Sequence, residues 1–431
     1  MAPAVPNAVP NAVPDAEAIL APGAVNDAAV TTIEPPPDYT GPAFQLLPPP
    51  SAAAAARDAG SHYDRQHIRT AASGQPIARL LRPLGTGQPP AAIGANVSVA
   101  SDGVTVVASA DGRVCLARET LAVETDLRIK GSVDFATGNI DFPGDVFVSG
   151  NVVDKFRVAC RGSLHVHGTI EAADVEVARD VRVDGGIVAH GGGRVAAGGR
   201  IEAKFVEGGH VQAGGDVVVH REAKDTTVAC GGKFELGRGA VYGGRVTANG
   251  GVHVANLGSP SGAKTIVEVG VDDGLRQEAL AALADLEARR RKIQHARDAL
   301  APLMPRAKML PASQKEKLVG LLYEADEMER DLEARIAPLR QRNEQSAAKA
   351  VAAVSVTGTL HPGVTIRAGG LETVITTPVR GPISVACRTI GNVRQLAIVG
   401  PGAGRVQPLK TVAAADAGSV ALAKLLAGGG K

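Results

Sequence analysis

The chain has 431 residues, with Gly 52, Pro 27, no Trp, Tyr 4 and Phe 7. Its length accommodates two or three domains, and the scarcity of aromatic residues means that a large core must be built from Val, Ala, Leu and Ile. Lys+Arg 46 against Asp+Glu 44 leaves a net charge of +2, which argues against a charge-driven nucleic-acid binder, and the few aromatics leave little to stack bases on.

No stretch reaches the ~18 apolar residues of a membrane helix. The first residues, MAPAVPNAVPNAVP, carry no basic or continuous apolar region and do not read as a signal peptide. Residues 1–60 are Ala/Pro-rich, with proline runs at Pro35–Pro37 and Pro48–Pro50. Proline neither continues helices nor pairs within sheets, so a disordered, partly polyproline arm is predicted.

A repeat then sets the architecture. Segments starting at Leu121, Ile140, Val158, Val175, Val195, Val211, Val228 and Val246 share one pattern, two apolar residues at period two, a corner, and two more. The corners are Thr125, Gly144, Gly162, Arg179, Gly199, Gly215, Gly232 and Gly250. Period two marks strands with one buried face, and a glycine between them marks a bend. Two short strands around a bend, recurring every 16–20 residues, describe rungs of a coil stacked ~4.8 Å apart with like residues in columns. A third position follows in the first four rungs, at Val133, Val152, Ile170 and Ile187. The predicted fold is mainly β, a right-handed, triangular parallel β-helix (a β-solenoid) over 118–272.

Over 273–350 the period changes to seven. Ala279, Leu286, Ile293 and Leu300 recur, and beyond Pro302, Pro305 and Pro311 so do Leu318, Ala325, Leu332 and Leu339. A capping box, Ser313 with Glu316, opens the second run. An antiparallel coiled-coil hairpin inserted in the solenoid is expected, either packing on the protein itself or serving dimerisation or partner docking; Arg289 and Arg290 fall in its seam. Val354, Val356, Leu360, Val364 and Ile366 bring the strand pattern back. Returning solenoid strands are therefore expected over 351–400, followed by a frayed tail over 401–431.

These residues resemble the flagellar assembly protein A (FapA) family, whose solenoid rungs have the form V-x-A-x-G-D-I-x-V. Val211-Gln-Ala213-Gly-Gly215-Asp216-Val217-Val-Val219 and Val175-Glu-Val177-Ala-Arg179-Asp180-Val181-Arg-Val183 carry the likeness, as do Thr137-Gly138-Asn139-Ile140 and the stretch from Gly358 to Ile366. Upstream, Gly74 to Ala78, Pro83 to Gly87 and Ala108 to Val114 look like the family's small N-terminal domain, placed at 61–117 as a small β domain. Thr125 and Arg179 depart from the corner glycine. The resemblance implies a cytoplasmic bacterial protein of flagellar assembly and supplies no enzymatic activity.

Asp126 and Asp145 stand one rung apart, the ~5 Å spacing of a retaining glycosidase, but an Asp after a bend glycine is a turn residue that accepts a local backbone N–H. His165 and His253 share one outward column five rungs apart, and His167 and His220 another, three rungs apart. Zinc draws its ligands to ~2.1 Å, so neither pair is expected to hold it. Cys160 and Cys230 fall in an inward column of small residues and read as core filler. With Cys115 and Cys387 they are too scattered for a disulfide framework or zinc site, and reduced thiols of a cytoplasmic protein are expected. The Gly run after His190 lacks a phosphate-loop pattern. No catalytic, cofactor-binding or metal-ligating residue is thereby assigned. A non-enzymatic scaffold with protein partners, flagellar-assembly components among them, is expected, with self-association through the coiled coil as a further expectation and neither nucleic acid nor cofactor. A bactofilin-like polymer and a carbohydrate-active β-helix enzyme are the alternatives.

Overall fold

The computed structural model describes residues 43–48, 68–81, 92–271, 276–278, 281, 288–295, 298, 312–349, 353–400 and 406–413. Over 126–269, and again over 354–368, the chain coils so that each turn hydrogen-bonds in parallel to the next. One column runs Ile140, Val158, Val175, Val195, Val211, Val228, Val246, Val267 and Ile366, every neighbour a registered partner. A second runs Leu127, Val146, Leu164, Val181, Ile201, Val217, Phe234, Val252 and Val354. These side chains belong to one continuous core, nearly all of it without solvent contact. Each fully buried Val, Leu or Ile contributes about 1.5–3 kcal/mol, so stability accumulates rung by rung.

The third column is longer than the sequence reading allowed. Beyond Val133, Val152, Ile170 and Ile187 it continues through Val206, Ala223, Val241, Leu257 and Leu360. From Ile187 onward the corner is bridged by long bent strands such as Ile201–Ala213 and Val217–Cys230. Their register shifts at the corners hide the repeat from a fixed spacing.

The corner column has a steric logic that reaches across rungs. Backbone hydrogen bonds climb through it from Gly162 N–H to Gly144 O and on to Gly250 N–H to Gly232 O. The Asp that follows a corner accepts from the backbone of the next rung, not from its own turn as expected: Asp145 from Ser163 N–H at 2.7 Å, Asp180 from Arg200 N–H at 2.7 Å, Asp216 from Lys233 N–H at 2.8 Å. Each carboxylate fills the place of a Cβ on the glycine above it. A Cβ on Gly162, Gly199 or Gly232 would lie 2.2, 2.1 or 2.1 Å from that carboxylate oxygen, whereas on Gly215, which stacks on Gly199, the nearest atom is 3.2 Å away. Arg179 departs from glycine without penalty because the rung below it has Ser163 in place of an Asp.

Several boundaries move. Leu121 and Val123 are not a first rung. Their strand, Thr120–Glu124, pairs antiparallel with Gly112–Ala117, and both side chains join a separate core with Phe44, Ile77 and Val106. Two four-stranded sheets surround that core. The solenoid begins at Asp126–Ile129, the first strand whose parallel partner is the corresponding strand of the next turn of the coil. The predicted arm gives up 43–48: Phe44–Leu46 pairs antiparallel with Pro76–Leu80, since a buried Phe44 offsets the ordering cost that the neighbouring prolines and alanines cannot. The rest of 1–60 lies outside the described residues. At the other end the returning strands stay parallel only to Val364–Ala368. Leu371–Val374 onward is antiparallel and includes Val406–Pro408 and Val412–Ala413 from the expected tail.

Between Thr265–Val269 and Val354–Val356 lies the helical segment, with helical residues at 276–278 and 288–295 and a helix over Ala312–Lys349. The proline break at 302–311 lies outside the described residues. Near its entry, Arg276 donates to Glu268 at 3.0 Å with both side chains nearly buried, and Arg245 stands 3.6 Å from the same carboxylate. Glu268 faces outward on its strand, so this pair sits on the outside of the coil beneath the helical segment. No described helix is long and apolar enough to cross a membrane.

Candidate functional site: a histidine–carboxylate face of the solenoid

On the strands that carry the second column, every other side chain points outward. The registered outward neighbours are Arg128, Phe147, His165, Arg182 and Glu202. The Arg128 guanidinium lies 4.7 Å from the centre of the Phe147 ring, a cation–π contact. The Phe147 ring meets His165 edge-on with 6.3 Å between centroids.

His167, two residues after His165, projects from the same face, and the two rings are 4.5 Å apart. Asp184 comes from the next rung, just past the end of Val181–Val183. Its Oδ2 is 3.0 Å from His165 Nε2 and 2.8 Å from His167 Nδ1, and its Oδ1 accepts from Arg182 Nε at 3.2 Å. Burial on this face is the largest single influence on the carboxyl and works against ionisation. Hydrogen bonds from His165, Arg182 and His167 together outweigh it and hold Asp184 down at about 2. The group is therefore anionic at any physiological pH, with two imidazoles directed at one oxygen.

The face continues into an open groove of about 980 Å³ lined by Arg182, Asp184, Glu202, Lys204, His220 and Arg221 among others. His220 Nε2 is 2.9 Å from Glu202, and this bond is the main cause of that carboxyl's lowered pKa. Farther round, Glu207 lies 2.8 Å from Lys224 and 3.6 Å from His190, with Lys224 chiefly responsible for lowering it. A second groove, of about 500 Å³, is bordered by Arg194, Gln212 and Cys230 of the solenoid and by Arg342 of the long helix.

Reading histidines down columns separated His165 from His253 and His167 from His220, and those separations stand. It missed the neighbours that matter: two histidines at strand spacing on one face, and a carboxylate seventeen residues after His167, one rung on. The spacing was legible in the sequence as His-Val-His followed one repeat later by Asp.

The other candidates have partners or burial within the solenoid. Asp126 pairs with Arg128 at 2.9 Å, and Asp145 is engaged by the Ser163 backbone, so both carboxylates already serve the solenoid surface. Cys160 and Cys230 are buried, and burial pushes both thiols up to about 12. All four cysteines are free. The Gly run after His190 sits inside the bent strand Ile187–Ala197 at a register shift.

The family model described as the Flagellar Assembly Protein A beta solenoid domain matches residues 125–389, from the first strand of the coil into the antiparallel end. This chain belongs to the FapA family. No match was found among curated proteins or among solved structures. The FapA match begins at Thr125, the residue at which the coil replaces the N-terminal sheets, and so agrees with the corrected first rung.

Proposed function

We propose that this FapA-family chain is a non-enzymatic scaffold of flagellar assembly, acting in the cytoplasm and holding protein partners on the outer solenoid face and the inserted helices. The observation that carries this reading is the family match across the whole coil. The columns support it, since they run unbroken from rung to rung and spend the apolar residues on a filled interior.

The helices are assigned as an antiparallel hairpin. Arg289 pairs with Asp331 at 3.0 Å and Arg342 pairs with Glu278. Eleven residues back along the first helical stretch thus correspond to eleven forward along the second, as antiparallel neighbours require. Ile293, Leu332, Ile336 and Leu339 are buried, whereas Val319 and Tyr323 remain exposed nearer the tip, a surface suited to a partner or to a second copy.

Growth of a polymer by stacking rungs fits less well. The C-terminal end is occupied by antiparallel strands, Val354–Val356 being paired with part of Ile383–Ile390, and a paired edge is not free to template another chain.

Deleting the gene and scoring flagella and motility tests the reading: defects restored by the intact chain support it, and normal flagella remove it. A variant in which a Gly/Ser linker replaces 279–348 keeps Arg276 and adds only a slowly growing closure entropy. It should fold with a β-dominated circular dichroism spectrum yet fail to restore motility or lose self-association. Full rescue with an unchanged oligomeric state would reduce the helices to packing.

A further inference from the structure

We propose that His165, His167 and Asp184 form a binding site for a divalent transition metal, zinc foremost, that clamps two successive rungs of the solenoid. Three features of the cluster carry this. One nitrogen from each imidazole and one carboxylate oxygen lie within 4.8 Å of one another. Bonds of ~2.0–2.1 Å in a tetrahedral zinc site put ligand atoms roughly 3.3 Å apart. The observed separations of 3.0 and 2.8 Å from Asp184 Oδ2 to the two imidazoles need only a small outward adjustment to reach that spacing.

The ligands are also held in place. His165 and Val166 lie in a strand registered with Arg182 and Val183, so the backbone fixes the distance between the rungs that supply the imidazoles and the carboxylate. Arg182 holds the second oxygen of Asp184, the kind of outer partner that orients a ligating carboxylate. Phe147 walls the far side of His165.

Donor type and exposure define the class of ion. Two imidazoles and one carboxylate suit zinc, copper, nickel or cobalt and not calcium or magnesium, which take oxygen ligands. The side chains of His165, His167 and Asp184 are 27, 56 and 35% exposed, so an ion can enter from solvent and the remaining coordination positions face outward. In the metal-free cluster the imidazoles hydrogen-bond the carboxylate. Binding replaces those contacts and releases any proton they hold, since ligating imidazoles must be neutral.

Tag-free, chelator-treated full-length protein titrated with zinc chloride by calorimetry tests the proposal. One site per chain is expected, together with a raised melting temperature in zinc, because the ligands are assembled only in the folded state. His167→Ala and Asp184→Asn should each weaken binding about ten-fold or more, whereas His220→Ala and His190→Ala should not. Cobalt(II) should give a visible ligand-field spectrum that His167→Ala abolishes. His167 is half exposed, so its variant should fold even if Asp184→Asn does not, and circular dichroism checks both. Absence of binding, or weak binding indifferent to His167 and Asp184, means an adventitious ion only and overturns the site.

Discussion

The glycine–aspartate stacking at the corners predicts a specific non-additivity. In Gly199→Ala the new Cβ lies 2.1 Å from Asp180 Oδ1, and its next neighbours, Arg179 C and O, lie at 3.2 Å. The carboxylate must leave, which breaks its 2.7 Å bond from Arg200 N–H. Loss of a hydrogen bond to an ionised acceptor costs about 1.5 kcal/mol at an exposed corner, and residual overpacking adds about 1 kcal/mol, so the single change should destabilise by about 2–3 kcal/mol. Asp180→Ala alone removes only the hydrogen bond. In the double variant the clash has no partner, so its cost should match Asp180→Ala within about 0.5–1 kcal/mol and fall well short of the sum. Gly215→Ala, with nothing nearer than 3.2 Å, should stay within about 1 kcal/mol of wild type. Urea unfolding of the four variants, compared by midpoint at constant slope, measures all of this. Additive costs for the pair, or equal costs at Gly199 and Gly215, would refute the idea that the carboxylate dictates the glycine above it.

Three further outcomes are expected. Val181→Asp places a carboxylate in a column between Leu164 and Ile201 at a position 1% exposed, and burial without a partner should lower the melting point severely; an unchanged midpoint would mean the register is wrong. Arg276→Ala leaves Glu268 buried with, among the described residues, the more distant Arg245, so about 3 kcal/mol should be lost and part of it recovered by adding Glu268→Ala, as read by chemical denaturation. In native protein at pH 8, Cys160 and Cys230 should resist a disulfide reagent because burial raises both to about 12 and leaves them protonated, while the half-buried Cys387 reacts and Cys115, half-buried but also raised by burial, reacts more slowly; four equally fast thiols would contradict the packing.

The first two inward columns were determined by the sequence alone from Ile140 to Val254. Period two, a glycine at the bend and a nearly constant length per turn are local properties, and together they decide which apolar residue stacks on which. The fate of Leu121 and Val123 was not local: the same alternation suits an antiparallel partner, and only the competing strand Gly112–Ala117 removed them from the coil. The antiparallel end after Ala368 escaped for the same reason, because a half-buried strand shows period two whichever way its neighbour runs. Phe44–Leu46 was concealed by its proline-rich surroundings, which outweigh three residues in any compositional reading. The polar face depended most on tertiary structure. His-Val-His with an Asp one repeat later was legible as a spacing, and the straight register of these strands sets Asp184 level with His167; that both imidazoles converge on one carboxylate oxygen was decided by side-chain packing across the rungs, which no repeat spacing encodes.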